Sequence, residues 1–249
     1  MKTVVVFLLL GLRQLLAVAQ VKPADLVGAW QFVEPSGART VLTFTNNYVI
    51  HTAYEPDRFI STSGGTWQLA GNNLIEIVEF NSTDSARVGS ADRMAVSLAN
   101  KKLTVVTRSG KMMFDRIDQP GLARAVLARP GSSEQLAGLW RITSRANDAG
   151  QLTPMQRGPR KTLKLLTETR FQWVAINPQT KQFSGTGGGT YTLKDGKYTE
   201  TIELFSRDNS RVGKSLTFGA EVSPTEWHHT GQSSTGSSVN EIWTRETGN

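Results

Sequence analysis

The chain has 249 residues, 38% of them hydrophobic and 20% charged, which suits a folded globule long enough for two ordinary domains. It contains no cysteine, which excludes disulfides, thiolate metal sites, cysteine nucleophiles and a lipid-modified cysteine at a cleavage site. The net charge of +7 is scattered and forms no basic run, so it reads as a solvated surface rather than a nucleic-acid-binding face.

Residues 1–19 stand apart. Lys2 gives a positive start, residues 4–12 form an apolar run, and Ala17-Val18-Ala19 supplies a small-x-small cleavage site. That is the layout of a secretory signal peptide, and it predicts a secreted or periplasmic protein, although Arg13 interrupts the apolar core. The run is shorter than the roughly 20 apolar residues that span a bilayer, and none of that length follows, so no membrane span is expected.

The rest of the chain repeats itself. Gly28-Ala29-Trp30 opens a strand, 41–45 (VLTFT) is a second, and Asn46-Asn47 turns the chain. Gly64-Gly65-Thr66-Trp67, then 73–89 (NLIEIVEFNSTDSARVG), the strand at 103–107 and a closing strand at 112–117 complete a first copy over residues 26–118. Residues 119–135 hold Pro120-Gly121 and Pro130-Gly131 and read as a linker with one short helix. The second copy spans 136–247. Gly138-Leu139-Trp140 opens it, 170–176 (RFQWVAI) is a strand, and Gly188-Gly189-Thr190-Tyr191 repeats the earlier glycine turn. Residues 197–213 (KYTETIELFSRDNSRVG) repeat 73–89 at an offset of 124, and 241–246 closes the copy. β-Branched and aromatic residues between Asn- and Gly-rich tips, at about ten-residue spacing, predict an all-β protein of two tandem sandwiches or barrels.

Two features resolve that choice. Gly-x-Trp heads each copy and an Arg ends each, pairing Trp30 with Arg116 and Trp140 with Arg245. This resembles the lipocalin (calycin) signature. Phe171-Gln172-Trp173-Val174 and the run from Asn240 to Arg245 make the second half similar to lipocalin-like domains of exported bacterial proteins. The resemblance implies two small antiparallel up-and-down β-barrels joined by a short linker. It also implies that each indole–guanidinium pair closes one barrel end, and that a small, mostly apolar ligand binds inside. It supplies no catalytic residue and no cofactor.

Alternation in the duplicated strand puts Tyr198, Glu200, Ile202 and Leu204 on the inward face, matching Leu74, Glu76, Val78 and Phe80; Glu79 and Glu203 fall outside, toward solvent. A desolvated carboxylate needs a cation, a proton or water. Glu200 is therefore either a polar anchor for a ligand or half of an ion pair with Arg211 or Arg170, and Glu76 the same with Arg87. The ligand set expected in the second copy is Trp173, Tyr191, Tyr198, Glu200, Arg211 and Trp227. The aromatics either line a pocket or fill a core. The Asp84–Gly89 and Asp208–Gly213 loops read as hairpin chemistry. His228 and His229 lie on opposite faces of one strand and His51 stands alone, so no metal site is expected. Gly187-Gly188-Gly189 lacks the Lys-Ser/Thr of a phosphate loop and reads as a kink or close approach. Two other functions remain open: a barrel isomerase or hydrolase using Glu200 with His228 or His229, and a secreted interaction or inhibitor module.

Overall fold

A computed structural model describes residues 20–108, 110–118, 135–233 and 235–247. The signal-peptide segment and nearly all of the linker lie outside the described residues. Barrel 1 is built from β1 (Gly28–Val33), β2 (Arg39–Phe44), β3 (Tyr48–Glu55), β4 (Arg58–Ala70), β5 (Asn73–Asn81), β6 (Ala91–Ala99), β7 (Lys102–Thr107) and β8 (Gly110–Arg116). Each strand pairs antiparallel with the next, and β8 returns to β1, closing the sheet. A helical turn, α1 (Pro23–Leu26), precedes it, and Val21 and Leu26 join its core.

Barrel 2 repeats the plan with β9 (Gly138–Ala146), β11 (Lys161–Leu166), β12 (Arg170–Asn177), β13 (Gln182–Lys194), β14 (Lys197–Phe205), β15 (Ser215–Val222), β16 (Glu226–Gln232) and β17 (Ser238–Arg245). Pairing of β17 with β9 closes it, and the three-residue β10 (Leu152–Pro154) pairs with the end of β9 that lies beyond its pairing with β11. The two indole–guanidinium stacks are superimposable in kind. Arg116 Cζ stands 4.1 Å from the Trp30 ring centre and Arg245 Cζ stands 4.1 Å from that of Trp140. Each indole N–H donates to the turn before its strand, Trp30 to Leu26 O and Trp140 to Leu136 O.

The duplicated glycines shape the strand faces. A Cβ on Gly65 would overlap the carbonyl oxygen of Ile77, and one on Gly189 that of Thr201, so these strands approach as closely as only glycine allows. A bulge forms at each place. Gly65 pairs with Val78 and Gly64 with Phe80, leaving Glu79 unpaired; Gly189 pairs with Ile202 and Gly188 with Leu204, leaving Glu203 unpaired. The bulge reverses the alternation beyond it. Phe80 and Leu204, read as inward from the sequence, lie instead between the barrels, and Phe205 turns onto Trp173.

The barrels pack through the outer faces of these strands. Tyr48, Ile50 and Phe80 meet Leu139, Leu163, Leu165, Val174 and Ile176 in one cluster, and Val41 and Tyr54 meet Leu204 in another. Glu79 and Glu203, expected in solvent, are held in this seam because the bulges project them there. Glu79 accepts from Tyr48 Oη and from Lys161 Nζ, each at 2.8 Å. Glu203 accepts from Tyr54 Oη at 2.7 Å and from Arg170. At the centre Thr52 Oγ1 donates to Gln172 Oε1 at 2.9 Å, while Gln172 Nε2 reaches Thr62 and Thr186, which are equivalent residues of the two copies. Strand β4 meets β14, and its counterpart β13 meets β5. That reciprocity is the pattern of a two-fold interface, realised within one chain.

Candidate functional site

The interior of barrel 2 gathers the candidate chemistry. Lys164 on β11 and Glu200 on β14 are 3% and 6% exposed, and Nζ lies 2.6 Å from Oε1. Four rings surround the ammonium: Tyr198 and Trp227 at 4.9 Å, and Phe171 and Trp243 at 5.5 Å. The ring quadrupoles and the carboxylate share the job of replacing water around the charge.

His229 enters the same space from β16. Its ring centre is 4.3 Å from Phe218, 4.9 Å from Trp227 and 5.7 Å from Tyr198. Burial drives its pKa below the ordinary 6.5 despite Glu241 alongside, so the ring is neutral at pH 7. Glu241 on β17 connects this interior to the rim. Its Oε2 lies 3.6 Å from His229 Nδ1 and accepts from Trp243 Nε1, while its Oε1 holds the exposed Arg145. Burial raises the Glu241 carboxyl, but His229 and Arg145 outweigh it and hold the group below its usual value. On β9, Arg145 is five residues beyond Trp140, about 16 Å along the strand, so the Arg145–Glu241 pair and the Arg245–Trp140 stack mark opposite ends of the barrel.

Four buried polar atoms in this interior have no hydrogen-bond partner among the described residues: Tyr198 Oη, Trp227 Nε1 and both ring nitrogens of His229. Glu200 lies beside Tyr198 without forming a hydrogen bond of ordinary geometry; burial first and that carboxylate second push the phenol pKa well above its normal value. Buried polar atoms are nearly always paired, and leaving one unpaired costs on the order of 1–3 kcal/mol. Four in one cluster need hydrogen-bond partners that the surrounding side chains do not supply.

The expected site residues divide. Tyr198, Glu200 and Trp227 meet in this cluster. Tyr191 packs on Tyr198 at 5.3 Å, but its hydroxyl donates to Thr167 O. Trp173 packs against Phe205, with Arg207 over its ring. Arg211 is not the partner of Glu200: it pairs with Asp208 in its own loop at 2.9 Å. Nor is Arg170, which serves Glu203. In barrel 1, Glu76 pairs with His51 at 2.8 Å, while Arg87 pairs with Asp92. Lys164 and Glu241 are the residues that sequence reasoning did not assign; His229 entered only as a possible partner of Glu200 in the enzyme alternative. His228, on the opposite face, hydrogen-bonds Asn240 at 2.8 Å. Among the described residues no group of acidic and histidine side chains could hold a metal ion, and no helix is long and apolar enough to cross a membrane.

A recess of about 230 Å³ lies between the barrels, lined in part by Tyr48, Glu79, Arg157, Lys161 and Glu246. Its charges already satisfy one another: Lys161 with Glu79, and Arg157 with Glu246 at 3.0 Å. The interior of barrel 2 is the stronger candidate because its polar atoms are not spent.

No family model matches the chain, and no curated protein matches it. Among solved structures it is similar to a lipocalin-like protein from Bacteroides uniformis, at 14% identity over 45% of this chain and 99% of that one, with a TM-score of 0.32. It is also similar to an uncharacterised protein from Bacteroides eggerthii, at 14% identity over 44% of this chain and 98% of that one, with the same TM-score. The strand register carries the assignment of fold. The chain is a tandem of two closed, eight-stranded antiparallel barrels. Each barrel has the Trp–Arg stack at one end and an inward glutamate, but among the described residues only the second surrounds that glutamate with unpaired polar atoms.

Proposed function

We propose that this protein binds a small, mostly apolar molecule inside barrel 2, outside the cytoplasm. The supporting observation is the cluster of Tyr198 Oη, Trp227 Nε1 and the His229 nitrogens, buried and unpaired beside the Lys164–Glu200 pair. The rings of Phe171, Tyr198, Phe218, Trp227 and Trp243 give the ligand an apolar wall, as in most small-molecule sites. The unpaired atoms give it a polar anchor. Trp227 Nε1 is a donor only, so the ligand must present an acceptor to it. Lys164 and Glu200 neutralise each other, as do Arg145 and Glu241, which favours a ligand without net charge. The reading of export rests on the layout of residues 1–19.

The test is a thermal-shift and native mass-spectrometry screen of sterols and aromatic alcohols and aldehydes, with fatty acids and aromatic acids as charged comparators. A ligand at a hundred times its Kd adds about 2.7 kcal/mol to stability, which raises the Tm of a chain this size by several degrees. The binder should also quench tryptophan emission, and Trp227→Phe should weaken it. A panel that leaves both Tm and emission unchanged removes the proposal.

A further inference from the structure

We propose that barrel 2 holds its ligand covalently and reversibly, through an imine between the Lys164 amine and an aldehyde or ketone carbonyl. This rests on reading barrel 2 as the ligand site and names the class of ligand. Lys164 stands opposite Trp140 in the β9–β11 register, where barrel 1 has Leu42 opposite Trp30. A leucine fills that place in barrel 1, so packing alone does not call for an amine there. Lys164 Nζ is within direct proton-transfer distance of Glu200 Oε1, and four rings exclude the bulk water that would hydrolyse an imine. Tyr198 Oη and Trp227 Nε1, both unpaired, are donors for a carbonyl oxygen, and the neutral His229 is an unpaired proton carrier in the same space.

The chemistry balances with the groups present. The ammonium passes a proton to Glu200. The freed nitrogen lone pair forms a C–N bond at the carbonyl carbon, and the C=O π electrons move to oxygen. A proton then shifts from nitrogen to that oxygen, giving a carbinolamine. Glu200 returns its proton to the hydroxyl, which departs as water as the C=N bond forms. One ammonium and one carbonyl give one iminium and one water, the iminium again faces a carboxylate, and nothing is oxidised or reduced.

The experiment uses the whole protein with limiting benzaldehyde and sodium borohydride, followed by intact mass and peptide mapping; benzyl alcohol is the non-carbonyl control. Binding without capture is followed separately by tryptophan emission. The proposal expects one benzyl group per chain, on Lys164, favoured by roughly tenfold or more over the exposed Lys102, Lys111 and Lys197 because the site holds the carbonyl against the amine. Lys164→Arg, which keeps a cation beside Glu200, should lose the adduct. Equal labelling of the exposed lysines overturns the proposal. So does quenching by benzaldehyde with no Lys164 adduct, an outcome that leaves the binding reading intact. If benzaldehyde does neither, capture is overturned, and the binding reading is decided by the wider panel.

Discussion

Two barrels of the same plan have opposite interiors. Across equivalent register pairs, barrel 1 places Leu74 with Met94, Leu103 with Phe114, and Val105 with Met112. Barrel 2 places Tyr198 with Phe218, Trp227 with Trp243, and His229 with Glu241. The inward glutamate is common to both, but its cation has changed strands. In barrel 1 Leu42 pairs with His51, which holds Glu76; in barrel 2 Lys164, which holds Glu200, pairs with Trp173. Barrel 1 thus shows what the fold needs: an apolar core and one neutralised carboxylate. What barrel 2 has beyond that is not required for folding, and unpaired buried atoms oppose it. That difference between two copies of one duplicated position supports the site proposed for barrel 2.

The largest expected effect comes from breaking the barrel 2 pair. Lys164→Leu, which copies barrel 1 at that position, strands Glu200 and should cost about 3–5 kcal/mol in urea unfolding. Adding Trp173→His to that variant rebuilds the barrel 1 arrangement and should recover most of the loss. If Lys164→Leu alone is neutral, the glutamate has another means of neutralisation and the contrast between the barrels collapses.

Next in size is the seam, where the barrels meet as near-equals. Tyr54→Phe removes the hydrogen bond from barrel 1 to Glu203 of barrel 2, and with it the acceptor of an Arg170 bond at 3.0 Å. Hydrogen bonds to charged groups contribute about 1.5–3 kcal/mol, and a loss in that range is expected. Tyr48→Phe, which removes a bond within barrel 1, should leave Glu79 still held by Lys161 and cost less. The reverse order would show that the seam is not where these carboxylates are fixed.

The duplication and the strand–turn code were legible because hairpin tips and β-branched runs are local. So was the inward direction of Glu76 and Glu200, which alternation fixes up to the bulge. Lys164 was hidden by the seam. In 161–166 (KTLKLL) the apolar residues Leu163 and Leu165 face outward against barrel 1, so simple alternation puts the intervening lysine in solvent. The same seam hid Glu79 and Glu203, whose outward direction was right and whose surroundings were not. The Gly187–Gly189 run signalled a close approach, while Gly64-Gly65 read as a turn; neither could show the one-residue shift that sends Phe80 and Leu204 to the seam. Ion partners are set by cross-strand register, which is why Lys164 and His51, rather than an arginine of the repeated loop, face the two glutamates.

The smallest effect is also the one that separates the barrels by sign. Burial lowers the pKa of His51, but Glu76 outweighs it and raises the pKa above 6.5. Its stabilisation of barrel 1 is therefore complete below pH 6.5 and fades as pH rises through the higher folded-state value. Burial lowers the pKa of His229, so barrel 2 loses nothing above pH 6.5 and is destabilised as pH falls toward the lower folded-state value. Between pH 8 and pH 5.5 the two barrels should move in opposite directions. Hydrogen exchange followed by mass spectrometry, corrected for the intrinsic rate, reads each barrel separately. Acidification should protect β3 and β5 and expose β14 and β16. His51→Gln should abolish the first change and leave the second; His229→Gln should do the converse. Parallel movement of both barrels would mean that their histidines share one environment, contrary to the pairing of His51 with Glu76 and the unpaired nitrogens of His229.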